Sequence, residues 1–306
     1  MNLLFVGLGS IGRRHLKNAV LELTERKIDF AVDAIRQGRL PLERDISSHI
    51  RDVYDGFDRL KHSYDAVFIT NPSFCHYETL RRAVPFSRAV FIEKPVFTDI
   101  DADIKALGLK PDSVYYVACP LRRSPVIAGV AKLLKSERPT AARAISSSYL
   151  PDWRPNADYR GCYSAFSEKG GGVRLDIIHE WDYLVDLFGS PLHVTCESGR
   201  FSNLEIESED TALYLARYSD MLLSLHLDYT GRFTRRELEL FFEHETVTAD
   251  IANNEIRYLR SKERECFSPI DIHRAEMKYF LDLIDGRVSN INTVERAVNT
   301  LRLALV

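Results

Sequence analysis

The chain is poor in cysteine, and the few cysteines it has are not placed to act together. Cys75, Cys119, Cys162, Cys196 and Cys266 are odd in number and never form a C-x-x-C pair, which excludes a disulfide framework and a thiolate zinc site. No H-E-x-x-H occurs, and His76, His179 and His193 have no ligand spacing, so no metal site is expected. No apolar run approaches the ~20 residues of a membrane span. The first strand-like segment begins at Asn2, which leaves no room ahead of it for a signal peptide, so a cytoplasmic protein away from membranes is expected. Neither sign of charge dominates. Lysine and arginine number 41 against 44 acidic residues, a net charge of −3, and the two signs interleave instead of forming the basic stripe of a nucleic-acid surface. The absence of a P-loop and of G-x-S-x-G removes nucleotide hydrolysis and serine-esterase chemistry.

What is present reads as two domains within 306 residues, 45% of them hydrophobic. NLLFV at 2–6, a stretch near Asp29–Ile35, AVFIT at 66–70, AVFIE at 89–93 and VYYVA at 114–118 are short apolar runs of buried-strand type. Helical segments over Ile11–Arg26 and His76–Val84 fall between them. That alternation calls for a parallel sheet covered on both faces. Beyond it, Thr140–Leu150, Leu192–Phe201, Thr211–Tyr218, Met221–Tyr229, Thr234–Glu243 and Glu245–Asp250 are strand-like. Several are joined by short turns, which favours antiparallel pairing. Leu213 and Leu215, then Leu223, Leu225 and Leu227, alternate with polar residues, as in a sheet with one core face and one free face. Helices are expected at Arg123–Ser136, Asp176–Phe188, about Ile272–Ile284 and Thr293–Leu305. The expected fold is thus α/β: a Rossmann domain with a parallel sheet over 1–119, then an α+β domain over 120–306 with a large, mostly antiparallel open sheet. The C-terminal helix is expected to pack back on the first domain.

Gly7, Gly9 and Gly12, with Ser10 and Ile11 among them, spell G-x-G-x-x-G at the first strand-to-helix junction. The first glycine permits a tight turn, the second lets the backbone approach a pyrophosphate, and the third allows close helix–strand packing. A dinucleotide cofactor follows. The second strand then decides its type. A strand ending at Val32 puts Asp33 on the ribose hydroxyls of NAD. A strand continuing through AVDAI puts Arg36, with Arg39 nearby, against a 2′-phosphate, and the alternation favours this NADP reading.

Thr70-Asn71-Pro72, His76 and Glu93-Lys94-Pro95 resemble the glucose–fructose oxidoreductase / inositol dehydrogenase / MocA family. The resemblance continues through LRRSP at 121–125, Gly170–Gly172 and LDIIHEWDYLVDLFG at 175–189. It implies reversible hydride transfer between a secondary alcohol of a sugar or cyclitol and nicotinamide C4. Thr70, Asn71, Pro72, His76, Glu93 and Lys94 are then expected at the cofactor, with the Lys94–Pro95 bond cis. Lys94 follows a buried strand at the sheet edge where ligands bind, and there it serves as a base or as a donor to a forming alkoxide. Asp176 and His179 are the expected acid–base partners, His179 one turn inside its helix. The commonest family pattern sets Asp four positions before His; here the spacing is three, with Leu175 at the usual place, which turns the aspartate by about 100° on a helix. Pro120 also replaces a polar residue often seen before Leu-Arg. The stretch 140–160 most resembles members of bacterial surface-polysaccharide pathways, and the open sheet face implies a homodimer or homotetramer.

The segment before Asp176 carries Trp153, Arg154, Tyr159, Arg160, Tyr163 and Arg174. Aromatic rings pack on the apolar face of a sugar, and arginine pairs bidentately with carboxylate or phosphate. With Arg122 from the LRRSP stretch, these residues point to an acidic, phosphorylated or nucleotide-linked sugar. Two alternatives stay open: a redox-neutral epimerase or glycosidase using the same cofactor, and a non-catalytic NADP sensor, to which the intact Lys94 is opposed.

Overall fold

The computed structural model describes residues 1–37 and 41–306; Arg39 lies outside the described residues. The first elements are β1 (Asn2–Val6), α1 (Ser10–Glu25), β2 (Ala31–Ile35), α2 (Arg44–Ser47), β3 (Ile50–Tyr54), β4 (Ala66–Ile69), α3 (His76–Ala83), β5 (Ala89–Ile92) and β6 (Val114–Val117). Then come α4 (Pro125–Leu133), β7 (Ala141–Tyr149), α5 (Val173–Asp176), α6 (His179–Phe188), β8 (His193–Gly199), β9 (Thr211–Arg217) and β10 (Leu222–Asp228). The last are β11 (Thr230–Phe241), β12 (Thr246–Asp250), β13 (Glu255–Tyr258), β14 (Arg264–Cys266), α7 (Ile272–Ile284) and α8 (Val294–Ala304). The chain divides into two compact units, Met1–Ala118 with Asp271–Asn299, and Cys119–Ile270 with Thr300–Val306. Among the described residues no helix is long and apolar enough to cross a membrane.

In the first unit six parallel strands run in the order β3-β2-β1-β4-β5-β6. The apolar runs behave as buried parallel strands do, with Leu3, Leu4, Phe5, Val67, Phe68, Val90 and Phe91 all inaccessible. Register aligns Phe5 with Phe68, Phe68 with Phe91 and Phe91 with Tyr116, one aromatic row across four strands. Phe280 of α7 meets that row edge-on, 5.2 Å from Phe91 and 5.5 Å from Phe68 between ring centroids. The Tyr116 hydroxyl donates to the buried Glu276 of α7 at 2.9 Å. β3 has no signature in the sequence because it is an edge strand: Arg51 and Val53 face solvent, so no continuous apolar run forms.

In the second unit eight strands run β14-β13-β12-β11-β7-β10-β9-β8. Neighbours are antiparallel except β7 and β10, which are parallel. No short turn joins that pair; the whole segment from Leu150 to Met221 lies between them, and a crossover of that length permits parallel pairing. β11 begins at Thr230, four residues before the expected strand.

Two expectations need correction here. The leucines of β9 and β10 do not share a face. Leu225 pairs with Tyr214 and Leu223 with Ala216, so Leu223, Leu225 and Leu227 are buried beside Ala212, Tyr214 and Ala216. Leu213 and Leu215 point the other way with Leu222, 50%, 65% and 62% exposed. The second correction is the helix expected over Asp176–Phe188, which is interrupted. Asp176 ends α5, Ile177 and Ile178 form a buried turn, and His179 opens α6. Counting degrees around one helix therefore does not relate Asp176 to His179.

Truncating Phe280 to Ala removes the ring that closes the aromatic row, and unfolding in urea should show a loss of about 3–5 kcal/mol. Leu21→Ala, on the exposed side of α1, should cost under about 0.5 kcal/mol in the same measurement.

Candidate active site

The turn after β1 is built by close approach. Gly7 has φ +92°, and a methyl group there would stand 2.7 Å from the Asn71 backbone. At Gly12 it would stand 2.5 Å from the Gly7 carbonyl oxygen, whereas at Gly9 no atom lies within 4 Å. The outer glycines thus pack the turn and the middle one opens it. Ser10 and Ile11 begin α1 behind an extended Gly9 that gives no side-chain cap, and the first turn holds no acid. Backbone N–H groups at such an end are free to bind an anion, with the helix dipole in support. Thr70 Oγ1 donates to the Gly7 carbonyl at 2.7 Å and so ties the end of β4 to this turn. Asn71 Nδ2 donates to Thr79 at 2.8 Å, while its buried Oδ1 has no partner among the described residues. An open glycine, an uncapped helix end and an orphaned acceptor fit a dinucleotide.

Several expected cofactor residues turn out to be engaged within the protein. His76 is buried and spans the Asn71 and Pro95 carbonyls, 2.9 Å from each, so with Pro72 it shapes the loop. Asp33 is also withdrawn. It is fully buried, accepts from Arg51 at 2.8 and 2.9 Å and from Tyr64 at 2.8 Å. Burial raises its pKa, yet these donors outweigh that and hold the carboxyl below its ordinary value. β2 runs on to Ile35, which leaves Arg36 as the first residue past its end. Arg13 braces the turn by donating to Leu8 O at 3.1 Å and to Glu43 at 2.6 Å.

Glu93, one residue past β5, is also engaged within the protein. Its Oε1 lies 2.5 Å from Nε2 of the buried His15 on α1, and its Oε2 accepts the backbone N–H of Lys94 at 3.1 Å. Burial pushes the carboxyl up, but His15, Lys94 and His273 prevail and hold it down to about 2. His273 of α7 stacks edge-on beside His15, and burial lowers its own pKa to about 4. The E-K-P corner is thereby clamped to α1, with the Lys94–Pro95 bond cis and Lys94 half-buried.

In the second unit Asp176 is enclosed by two phenols. Tyr163 donates to Oδ1, and Tyr229, just past β10, donates to Oδ2 at 2.7 Å. Burial and the carboxylate together push both tyrosines well above their ordinary pKa, so both stay protonated donors. Trp153 packs edge-on against Tyr229 at 5.2 Å, and Arg154 lies over the Tyr163 ring. His179 Nε2 accepts from Arg236 of β11 at 2.7 Å. Sequence reasoning missed His15, Tyr229 and Arg236, which reach their partners across 78, 53 and 57 positions with no local motif to mark them.

Two residues expected at the substrate are paired with carboxylates of the protein. Arg122 is buried between Asp182 and Asp186, 2.8 Å from each, where burial opposes but the two carboxylates reinforce its charge. Arg160 is bridged to Asp158 at 2.9 Å and Glu205 at 2.7 Å. Arg174 pairs with Glu209. Tyr159 is tied at its hydroxyl, which accepts the Glu205 N–H at 3.3 Å. Among the described residues Arg154 pairs with no carboxylate.

A doubly wound sheet with a glycine cradle at its first crossover defines the first unit as a dinucleotide-binding domain. Residues 1–108 match the Gfo/Idh/MocA profile, described as oxidoreductase family, NAD-binding Rossmann fold. This stretch of the chain is similar to that family. An uncharacterised oxidoreductase of Bacillus subtilis, YrbE, is 25% identical over 190 residues, 60% of this chain and 53% of the relative. The chain thus spans about half the length of that curated relative. Among solved structures, the UDP-N-acetylglucosamine 3-dehydrogenase GnnA from Acidithiobacillus ferrooxidans superposes with a TM-score of 0.77 at 19% identity, covering 100% of this chain and 95% of that one. The WlbA dehydrogenase from Bordetella pertussis, in complex with NADH and UDP-GlcNAcA, gives 0.79 at 17% identity, covering 99% and 96%. Both share the fold.

Glu93 titrates at a depressed value in the folded protein, so its contribution to stability is complete above the ordinary carboxyl pKa of 4.5 and fades as pH falls towards about 2. Glu93→Gln should therefore cost on the order of 2 kcal/mol at neutral pH. In denaturant titrations the gap to the parent protein should close between about pH 4.5 and pH 2.

Proposed function

We propose that this protein is an NAD(P)-dependent oxidoreductase that interconverts a secondary alcohol and a ketone on a nucleotide-linked sugar. The observation that carries the reading is the carboxyl edge of the first sheet. Gly7 after β1, Asn71 after β4 and Lys94 after β5 all lie there, at the β1/β4 switch point where such sheets bind ligands. The N-terminus of α1, from Gly9 to Ile11, would hold the pyrophosphate, Thr70 and Asn71 would hold the loop against it, and Arg36 would face the adenosine ribose.

A nicotinamide bound in that cradle supplies the hydride acceptor or donor at the alcohol carbon. As the carbon–oxygen double bond forms, Lys94 takes the hydroxyl proton; in the reverse direction it returns that proton to the oxygen. Glu93 and His15 fix the corner that carries Lys94 without touching substrate. Asp176, with both oxygens filled by phenols, anchors the Trp153–Tyr163 segment instead of moving protons. Trp153, 39% exposed, offers a ring for a sugar face, and Arg154 is the arginine of that segment left for a phosphate. GnnA, named for a UDP-sugar, and WlbA, solved in complex with UDP-GlcNAcA, support the nucleotide-linked class. The apolar strip of Leu213, Leu215 and Leu222, with Phe233 at 70% exposure, supports self-association through the second sheet in the cytoplasm.

Lys94→Ala should cut NAD(P)H-linked turnover of UDP-sugars by about 100-fold or more and leave cofactor affinity within about threefold. A folded variant that no longer binds cofactor would instead make Lys94 a cofactor ligand. Isothermal titration should rank NADP(H) above NAD(H), and Arg36→Ala should erase the difference. Equal binding by the unaltered protein refutes the role given to Arg36.

A further inference from the structure

The second unit holds a partly buried cluster in which a carboxylate, a guanidinium and an imidazole meet. Glu180 is fully buried, and its Oε1 accepts from Arg236 Nε at 2.7 Å. Arg236 Nη2 lies 2.7 Å from His179 Nε2. Glu180 Oε1 is 3.6 Å from that nitrogen, beyond hydrogen-bond reach. The arginine therefore sets the proton arrangement. A guanidinium carries five donors and no acceptor, and it does not give up its charge. A nitrogen facing it at 2.7 Å has to present a lone pair. Protonating Nε2 would break that bond and set two cations against each other. Arg236 cannot swing aside at little cost, because doing so would leave Glu180 buried without its cation. Burial already pushes the Glu180 carboxyl up, and the Arg236 charge opposes it.

We propose that Arg236 is a positioning residue that holds His179 as the neutral imidazole protonated at Nδ1. The proposal rests on the oxidoreductase reading and deepens it. His179 then acts as an oriented neutral ring. The interrupted helix makes this possible: His179 opens α6, with Glu180 beside it, and both face β11 from one turn.

The test is a long-range proton–nitrogen spectrum of the full-length protein labelled with ¹⁵N-histidine, with His179 identified by the signal lost in His179→Gln. At neutral pH His179 should show a protonated Nδ1 and an unprotonated Nε2. A proton on Nε2, alone or with one on Nδ1, overturns the proposal. Arg236→Met is combined with Glu180→Gln so that no unpaired buried carboxylate remains to unfold the protein. In that double variant Nε2 should become protonated in a substantial fraction, and the acid limb of the pH–rate profile should move to higher pH. Turnover should fall about tenfold or more with the KM for the UDP-sugar within about threefold. An unchanged His179 spectrum in the double variant refutes the role given to Arg236. Failure to bind NAD(P) would sink the oxidoreductase reading instead, and the tautomer is read whether or not turnover is seen.

Discussion

Glu93 is a carboxylate with almost no exposed surface, placed between a core strand and the lysine of the E-K-P corner. Left alone, a charge so buried would cost several kcal/mol. His15 makes it tolerable, reaching across from α1 at 2.5 Å, while the Lys94 N–H occupies the other oxygen. This pair joins α1, whose N-terminus faces the glycine cradle, to the strand end that carries Lys94. The cradle, the loop after β4 and the E-K-P corner therefore hold their spacing together, with Thr70 completing the link through the Gly7 carbonyl.

The second unit repeats that solution with different chemistry. Asp176 accepts from two phenols and Glu180 Oε1 from a guanidinium, and each donor comes from a separate segment of the chain. How far such networks pair their members decides which groups remain for chemistry. A carboxylate with both oxygens filled by protonated tyrosines is a poor proton carrier. An imidazole fixed by an arginine is an oriented one. Arg122 shows the same economy: a cation resembling a substrate ligand in sequence spends both faces of its guanidinium on Asp182 and Asp186.

The matched family stretch and the shared fold concern different lengths of chain. The profile covers the cradle and its sheet, residues 1–108, where the physics of binding a pyrophosphate restricts which residues work. The whole chain, both sheets included, is related to solved structures by shape at under 20% identity. A sheet face tolerates many side chains as long as its inner rows pack, so shape outlasts sequence there.

What the sequence by itself determined was local. G-x-G-x-x-G marks its own turn because each glycine answers a constraint within a few residues. The apolar runs mark buried parallel strands, and Ile272–Ile284 marks its helix with both ends as expected. Tertiary structure decided everything that depends on a distant partner. That Asp33 at the end of β2 is taken up by Arg51 and Tyr64 could not be read from its neighbours in sequence. The leucines of β9 and β10 alternate identically in both strands, and only the pairing register shows that one set is core and the other surface. The break at Ile177–Ile178 has no glycine or proline to announce it. Arg160 and Arg154 look alike in sequence, and what separates them is the placement of Asp158 and Glu205 around one guanidinium. Charge and hydrogen-bond capacity belong to a residue, but whether they are spent depends on which side chains folding brings within about 3 Å.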